Sequence, residues 1–465
     1  MSEKSLAAQL KEELFINRKN GALLMSDEEI RKADEFSEGY KRFINIGKTE
    51  RLCVKEAIRL AKENGFEEFV PGKKYNAGDR VYVNNRGKAL MLAVMGKKGV
   101  KEGVKLAIAH VDSPRLDLKP NPMYEASDLA LFKTHYYGGI KKYQWTAIPL
   151  ALHGTVLCKG GRMVDVSIGE NEDEPCFCVT DLLPHLGREQ MQKTGSKIIE
   201  GENLNILIGS RPFRDDKESE LVKLNILKIL KDKYNIKECD FLTSELEAVP
   251  AFKARDIGFD RSMIGAYGHD DRVCAYPALM AALGAKTPEN TVISVLTDKE
   301  ETGSDGNTGM QSKYMMFFIK DLAMAEGCEV HHVLHKSKCL SADVNAAFDP
   351  TYSSAYEANN SSYINNGVVI TKYTGSGGKG GTNDASAEFM SEIREMLDNG
   401  KVIWQIGELG KVDGGGGGTI AKYVANLDVD TVDLGVPVLS MHAPYEIISK
   451  IDIYMAFRAF EEFYK

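Results

Sequence analysis

The sequence predicts an α/β protein in which a β-rich segment interrupts an open, helix-flanked sheet. Three observations carry this reading. Nearly continuous apolar runs, such as residues 104–109 and 291–296, end abruptly in polar residues, as buried strands do where they give way to loops. Strand-like and helix-like patterns alternate from about residue 275 onward. Between residues 116 and 249 the pattern changes to short β-like pieces separated by turns. At 465 residues the chain exceeds a single domain of about 100–200 residues. We divide it into 1–115, 116–249 and 250–465, with the middle part inserted into a domain built from the outer two.

Composition narrows the function. Hydrophobic residues at 43% and charged residues at 27% exclude wholesale disorder. Fifty-nine basic residues against 67 acidic ones leave a net charge of −8, which argues against nucleic acid or an anionic membrane as the main partner. No run approaches the roughly 20 apolar residues that span a bilayer. Residues 1–20 lack the apolar core of a secretory signal. Eight cysteines without regular spacing read as reduced thiols, so a cytoplasmic location is expected.

In chain order, residues 26–60 carry apolar side chains at helical spacing, among them Phe36, Tyr40, Phe43 and Ile44. Strands are expected at 80–83, 89–94 and 104–109, the last ending at His110, Asp112 and Ser113. The middle part holds β-like pieces at 154–157, 163–168 and 177–179, a turn at Gly160-Gly161 and an amphipathic helix pattern at 217–233. The third part reads as a helix from residue 275 and a strand at 291–296 before Asp298, Glu300 and Glu301. One helix at 312–338 and the segment Leu340-Ser341-Ala342-Asp343 follow. A strand–helix pair at 368–373 and 385–397, the run 436–440 before His442 and a closing helix complete the chain.

Polar residues therefore collect beyond the ends of several strands, where open α/β sheets place their sites. Two imidazoles and several carboxylates form a ligand set that suits zinc, manganese or cobalt. A lone histidine after a strand is more often structural, so the weight rests on the set. Adjacent Glu300 and Glu301 fit a solvated loop, and equally fit metal hydrolysis, in which one carboxylate ligates and the other takes a proton from water. Asp112 fits a carboxylate that orients a ligand. In His269-Asp270-Asp271-Arg272, spacing alone favours helix capping by the acids over metal bridging.

Five segments together resemble the aspartyl aminopeptidase family in order and spacing, over nearly the whole chain. They are Ala109-His110-Val111-Asp112-Ser113-Pro114, His269-Asp270-Asp271-Arg272, Asp298-Lys299-Glu300-Glu301-Thr302-Gly303-Ser304, Ser341-Ala342-Asp343 and Ser440-Met441-His442-Ala443-Pro444. The resemblance implies a dinuclear-zinc metallopeptidase with a doubly wound mixed-sheet catalytic domain and an inserted dimerisation domain. It implies that His110 and Asp343 ligate metal on opposite sides of a bridging Asp270, that Glu301 and His442 are ligands too, and that Glu300 is the general base. Asp112 becomes the orienting carboxylate. Leu183-Pro184-His185-Leu186 matches the motif whose histidine reaches a neighbouring subunit's site, which makes His185 the candidate for oxyanion stabilisation in trans. Asp271 stands where many relatives carry Asn, so both acids stay open as the bridge. Val344-Asn345-Ala346 follows Asp343 where relatives often have Met-Ala-His.

The implied activity is removal of N-terminal residues from short peptides, with acidic first residues suggested by the family name. The implied cofactor is two Zn2+ per subunit, with Co2+ or Mn2+ as alternatives. Dimers assembling into tetrahedral dodecamers are implied as well, and neither nucleic acid nor a membrane is expected as a partner. The alternative is a nucleotide-binding α/β protein using the glycine-rich loops at 375–382 and 414–418. The first loop departs from a phosphate loop because Lys379 is followed by Gly380, and the second has no lysine. Lys372 and Lys379 are candidates for recognising an acidic side chain. Cys328, His331, His332, His335 and Cys339 lack the spacing of a zinc site and read as a solvated helix.

Overall fold

Strands without charge build the centre of the molecule. The computed structural model describes residues 4–16, 18–215 and 217–465. Ala89–Val94 and Thr291–Thr297 are buried at every position, which requires cover on both faces. They belong to a nine-stranded mixed sheet. Its order is Glu67–Glu68, Arg80–Asn85, Ala89–Val94, Thr291–Thr297, Val104–His110, Lys338–Ser341, Asp430–Gly435, Val368–Thr371 and Trp404–Ile406. The four strands from Thr291–Thr297 to Asp430–Gly435 run parallel, so their carboxyl ends lie side by side.

Alternation within one strand shows how the layers form. Leu90, Leu92 and Val94 join the core under helices Asp27–Ile46, Glu50–Glu63, His269–Gly284, Ala387–Asn399 and Lys450–Tyr464. Met91 and Ala93 face the core under Tyr314–Ala325, Val330–His335 and Ala421–Ala425. At the end of Asp430–Gly435 the chain passes so close to Asp343 that a Cβ on Gly435 would lie 1.6 Å from the Asp343 carbonyl oxygen. Only glycine fits there.

A second sheet, seven-stranded and antiparallel, is drawn from the stretch between Arg115 and Pro250. Gly160 and Gly161, both at positive φ, turn the chain between Leu150–Leu157 and Met163–Ile168. Trp145 is fully buried in this part and meets Tyr267 edge-on at 6.4 Å.

The structure refines three of the sequence readings. The pattern at 312–338 is two helices, Tyr314–Ala325 and Val330–His335, parted at Gly327 with φ +74°. The pattern at 26–60 is also two helices, broken at Gly47 and restarted by the Thr49 cap. The run 436–440 is not a strand of the nine-stranded sheet; Asp430–Gly435 just before it is, and Pro437–Val438 pairs instead with Asn345–Ala346. No described helix is long and apolar enough to cross a membrane. All eight cysteines are free thiols.

Buried charges join the two sheets where the chain returns from the second to the first. Lys48 Nζ donates to the Pro250 and Phe252 carbonyls at 2.7 and 2.6 Å. Glu170 lies 2.9 Å from His153 Nε2, 2.6 Å from Lys253 Nζ and 3.7 Å from Lys48 Nζ. Burial alone would raise the Glu170 carboxyl, but His153, Lys48 and Lys253 outweigh it and hold it at about 2. The folded chain therefore binds Glu170's proton less readily than the unfolded one. The stability this adds is complete above the ordinary value of 4.5 and is lost as pH falls through about 2. We expect Glu170→Gln to lower stability near neutral pH by about 1.5–3 kcal/mol. Its deficit against the parent should shrink below about pH 4.5 in denaturant titrations. A deficit independent of pH would show that the charge is not what holds this joint.

Candidate metal centre

The parallel strands deliver most of the polar residues to one edge. His110 ends Val104–His110, Glu300 and Glu301 form a 3-10 turn just after Thr291–Thr297, and Asp343 lies just beyond Lys338–Ser341. Asp270 opens the helix His269–Gly284, and His442 sits in the turn between Pro437–Val438 and Glu446–Ser449. Three sets of donors converge to within 4.8 Å: His110, Asp270 and Asp343; His110, Glu300 and Glu301; and Asp270, Glu301 and His442.

Asp270 lies between the two histidines. Its Oδ1 is 3.2 Å from His110 Nε2, and its Oδ2 is 3.2 Å from His442 Nε2. Asp343 Oδ1 is 3.8 Å from His110 Nε2, so His110 and Asp343 share one side of Asp270 rather than flanking it. That corrects the expected placement. Glu301 Oε2, at 3.7 Å from His442 Nε2, belongs to the other side. Asp271 is buried and joins none of the three sets. Neither acid caps the helix, because both have non-helical backbone and the helix start has no side-chain cap. Spacing alone misreads them for that reason.

The electrostatics report crowding of like charge. Burial pushes the Glu300 carboxyl up to about 8, with Asp343, Asp270 and Asp112 adding to the push against the pull of His110. Glu301 and Asp343 are raised by burial as well, each with Asp270 beside it. Burial opposes charge on His442, yet Asp270 and Glu301 raise its imidazole to about 11. Asp270 is held below the usual carboxylate range because His110 and His442 outweigh its burial. Carboxyls that resist ionising beside imidazoles that keep their protons describe a site short of positive charge. Asp270 Oδ1 and Glu301 Oε1 are buried and accept no hydrogen bond. Such converging lone pairs, on two nitrogen and several oxygen donors, fit divalent metal ions, and zinc accepts this donor set.

Two buried carboxylates hold the donors in place. Asp112 accepts the backbone N–H of Glu300 and of Glu301, both at 3.2 Å, and the Tyr137 hydroxyl at 2.8 Å. Its Oδ1 is 3.3 Å from His110 Nδ1. Glu446, which sequence reasoning missed, accepts the N–H of His442 at 2.7 Å and of Asp270 at 3.1 Å. Its only sequence signal is an acid four residues after His442.

The remaining candidates lie elsewhere. His185 is exposed on a loop of the second sheet's segment, among the exposed Leu182, Leu183 and Leu186, and joins no donor set. Lys372 and Lys379 are both ion-paired to Asp384. The glycine loops pack on each other, with the Gly416 Cα against Ser376, around a cavity of about 120 Å³. Neither runs directly into a helix of more than five residues, and nothing here favours nucleotide binding. His331, His332 and His335 lie on the short helix Val330–His335, Cys339 is buried in a strand, and none joins a donor set.

Glu446→Ala would leave two buried N–H groups without acceptors, at a cost of about 2–4 kcal/mol. Thermal unfolding of the metal-free protein should show this loss, with Glu446→Gln intermediate because one acceptor oxygen survives. An unchanged midpoint in both variants would remove Glu446 from the supporting framework.

Comparison with known proteins identifies the family. The pattern of the family described as aminopeptidase I zinc metalloprotease (M18) matches residues 43–464. A relative from Clostridium acetobutylicum, described as a probable M18 family aminopeptidase 1, is 49% identical over 450 residues, covering 95% of this chain and 97% of its own. The crystal structure of an M18 family aminopeptidase from Thermotoga maritima superposes with a TM-score of 0.92 at 43% identity, covering 97% of this chain and 99% of its own. The S. cerevisiae mApe1 dodecamer shares the fold, with a TM-score of 0.75 at 20% identity over 93% of this chain and 97% of its own. An M18 match along nearly the whole chain, upheld by a relative of almost equal length, makes this protein a zinc metalloaminopeptidase of the M18 family, the aspartyl aminopeptidases.

Proposed function

We propose that the chain is a dinuclear aminopeptidase that removes N-terminal residues from short peptides. The observation that carries this reading is Asp270, whose two oxygens each face a different histidine and a different donor set. His110 and Asp343 would hold one ion, Glu301 and His442 the other, with Asp270 between them. Zn2+ is the expected metal, and Co2+ or Mn2+ suits the same donors. When bound, the ions lower the proton affinity of water and polarise the scissile carbonyl.

Glu300 takes a proton from the attacking water and delivers it to the leaving amine. Its carboxylate is beside His110, at 3.8 Å, and its backbone N–H donates to Asp112. Asp112 orients His110 and the Glu300-Glu301 turn together. His185, which joins none of its own chain's donor sets, acts on the oxyanion of a neighbouring subunit. The exposed Leu182, Leu183 and Leu186 around it support burial of that loop against a second copy. We propose a doubly wound catalytic unit, residues 1–115 and 250–465, with 116–249 as the inserted unit that pairs subunits. Dimers then assemble into a tetrahedral dodecamer, as the dodecameric yeast relative suggests. Free thiols throughout suit a cytoplasmic setting. A preference for acidic first residues follows from the family's name, but Lys372 and Lys379, each paired to Asp384, do not supply it.

A panel of aminoacyl fluorophores, with metal content measured in parallel, tests the reading. Glu300→Gln should keep its metal and lose about 10²–10⁴-fold in kcat; undiminished turnover would overturn the assignment of the base. His185→Ala should lose about 10²–10³-fold. Mixed assemblies of H185A and E300Q chains should regain activity, since one subunit then supplies Glu300 and its neighbour His185. Mixtures as inactive as either parent variant would place His185 outside the reaction.

A further inference from the structure

We propose that Tyr137-Gly138-Gly139, at the end of a strand of the second sheet, is a positioning strap for the metal centre. This rests on the dinuclear reading above and adds to it residues from the other sheet. Tyr137 Oη donates to Asp112 Oδ2 at 2.8 Å, and Asp112 in turn fixes the Glu300 and Glu301 amides and lies beside His110 Nδ1. The Gly139 carbonyl, 2.7 Å from His442 Nδ1, can only accept. Nδ1 therefore donates, which leaves Nε2, facing Asp270 at 3.2 Å, as the nitrogen that would ligate an ion. Between these two contacts, Gly138 has φ +72°, and a Cβ there would lie 3.0 Å from Glu301 Oε2 and 3.3 Å from Glu301 Cβ. The strap thus touches both sides of the centre within three residues.

The strap is itself anchored. The Arg115 guanidinium stacks on the Tyr137 ring, 3.8 Å from its centre. Arg115 is buried and reaches Asp117 at 2.7 Å, Glu247 at 3.3 Å and Glu50 at 3.5 Å. Glu247 belongs to the second sheet and Glu50 to a helix packed on the first. The docking of the two sheets is carried through Arg115 and Tyr137 to Asp112. Partners of a ligand's hydrogen bonds govern metal affinity as well as orientation.

Tyr137→Phe keeps the ring and its stack on Arg115 and deletes one donor. Competition against a chromophoric chelator, with Zn2+ and Co2+ as probes, should show a 10–100-fold loss of affinity. The visible spectrum of the Co2+-loaded protein should shift, and kcat should fall while KM stays within about twofold. Gly138→Ala, which crowds Glu301 and strains the strap at its positive φ, should shift the Co2+ spectrum too. Parent-like chelator competition and parent-like Co2+ spectra in both folded variants would overturn the strap and leave the dinuclear reading standing. A parent protein that holds no divalent ion against the chelator would overturn both. Should Y137F fail to fold, G138A alone decides: a parent-like spectrum overturns the strap, and a shifted one upholds it.

Discussion

Asp112 is fully buried, and its carboxylate takes two backbone amides, one phenol hydroxyl and the proximity of an imidazole. Burial works against its charge, yet His110 and Tyr137 keep it ionised below the usual carboxylate range. This one group sets the distance between the strand end that carries His110 and the turn that carries Glu300 and Glu301. An unpaired carboxylate in that position would be costly, so each partner is as necessary to Asp112 as Asp112 is to it. The rest of the centre is arranged around this fixed corner.

Crowding is the second constraint. Asp270, Glu300, Glu301 and Asp343 occupy a small volume with only two imidazoles to offset them. A fold can tolerate that only where it holds the groups by their backbones. Glu446 grips Asp270 and His442 in this way, and the missing side chain of Gly435 lets the Asp343 segment come close to the neighbouring strand. Parallel strands suit the task because their carboxyl ends open side by side, so loops distant in sequence converge without long excursions.

Much of this is legible in the sequence, and the reasons differ by element. Strands at 89–94, 104–109 and 291–296 stand out because burial on both faces leaves nearly continuous apolar runs without polar alternation. Asp430–Gly435 does not stand out, since Asp430 and Asp433 break its apolar run although strands flank it on both sides. The donors are visible as polar residues after strands, but Asp270 and Asp271 mimic helix caps, and only backbone geometry distinguishes the two uses. Glu446 resembles any loop acid until its two amide partners are seen. Gly139's contact with His442 crosses 303 positions, and no local pattern encodes it.

That span also orders events during synthesis. The donors His110, Asp270 and Asp343 are all made before His442. Glu301 waits longer, because its partner His442 and the Glu446 that holds it follow all of these in the chain. Domains form as their segments emerge, so a nascent chain carries one side of the centre well before it can assemble the other.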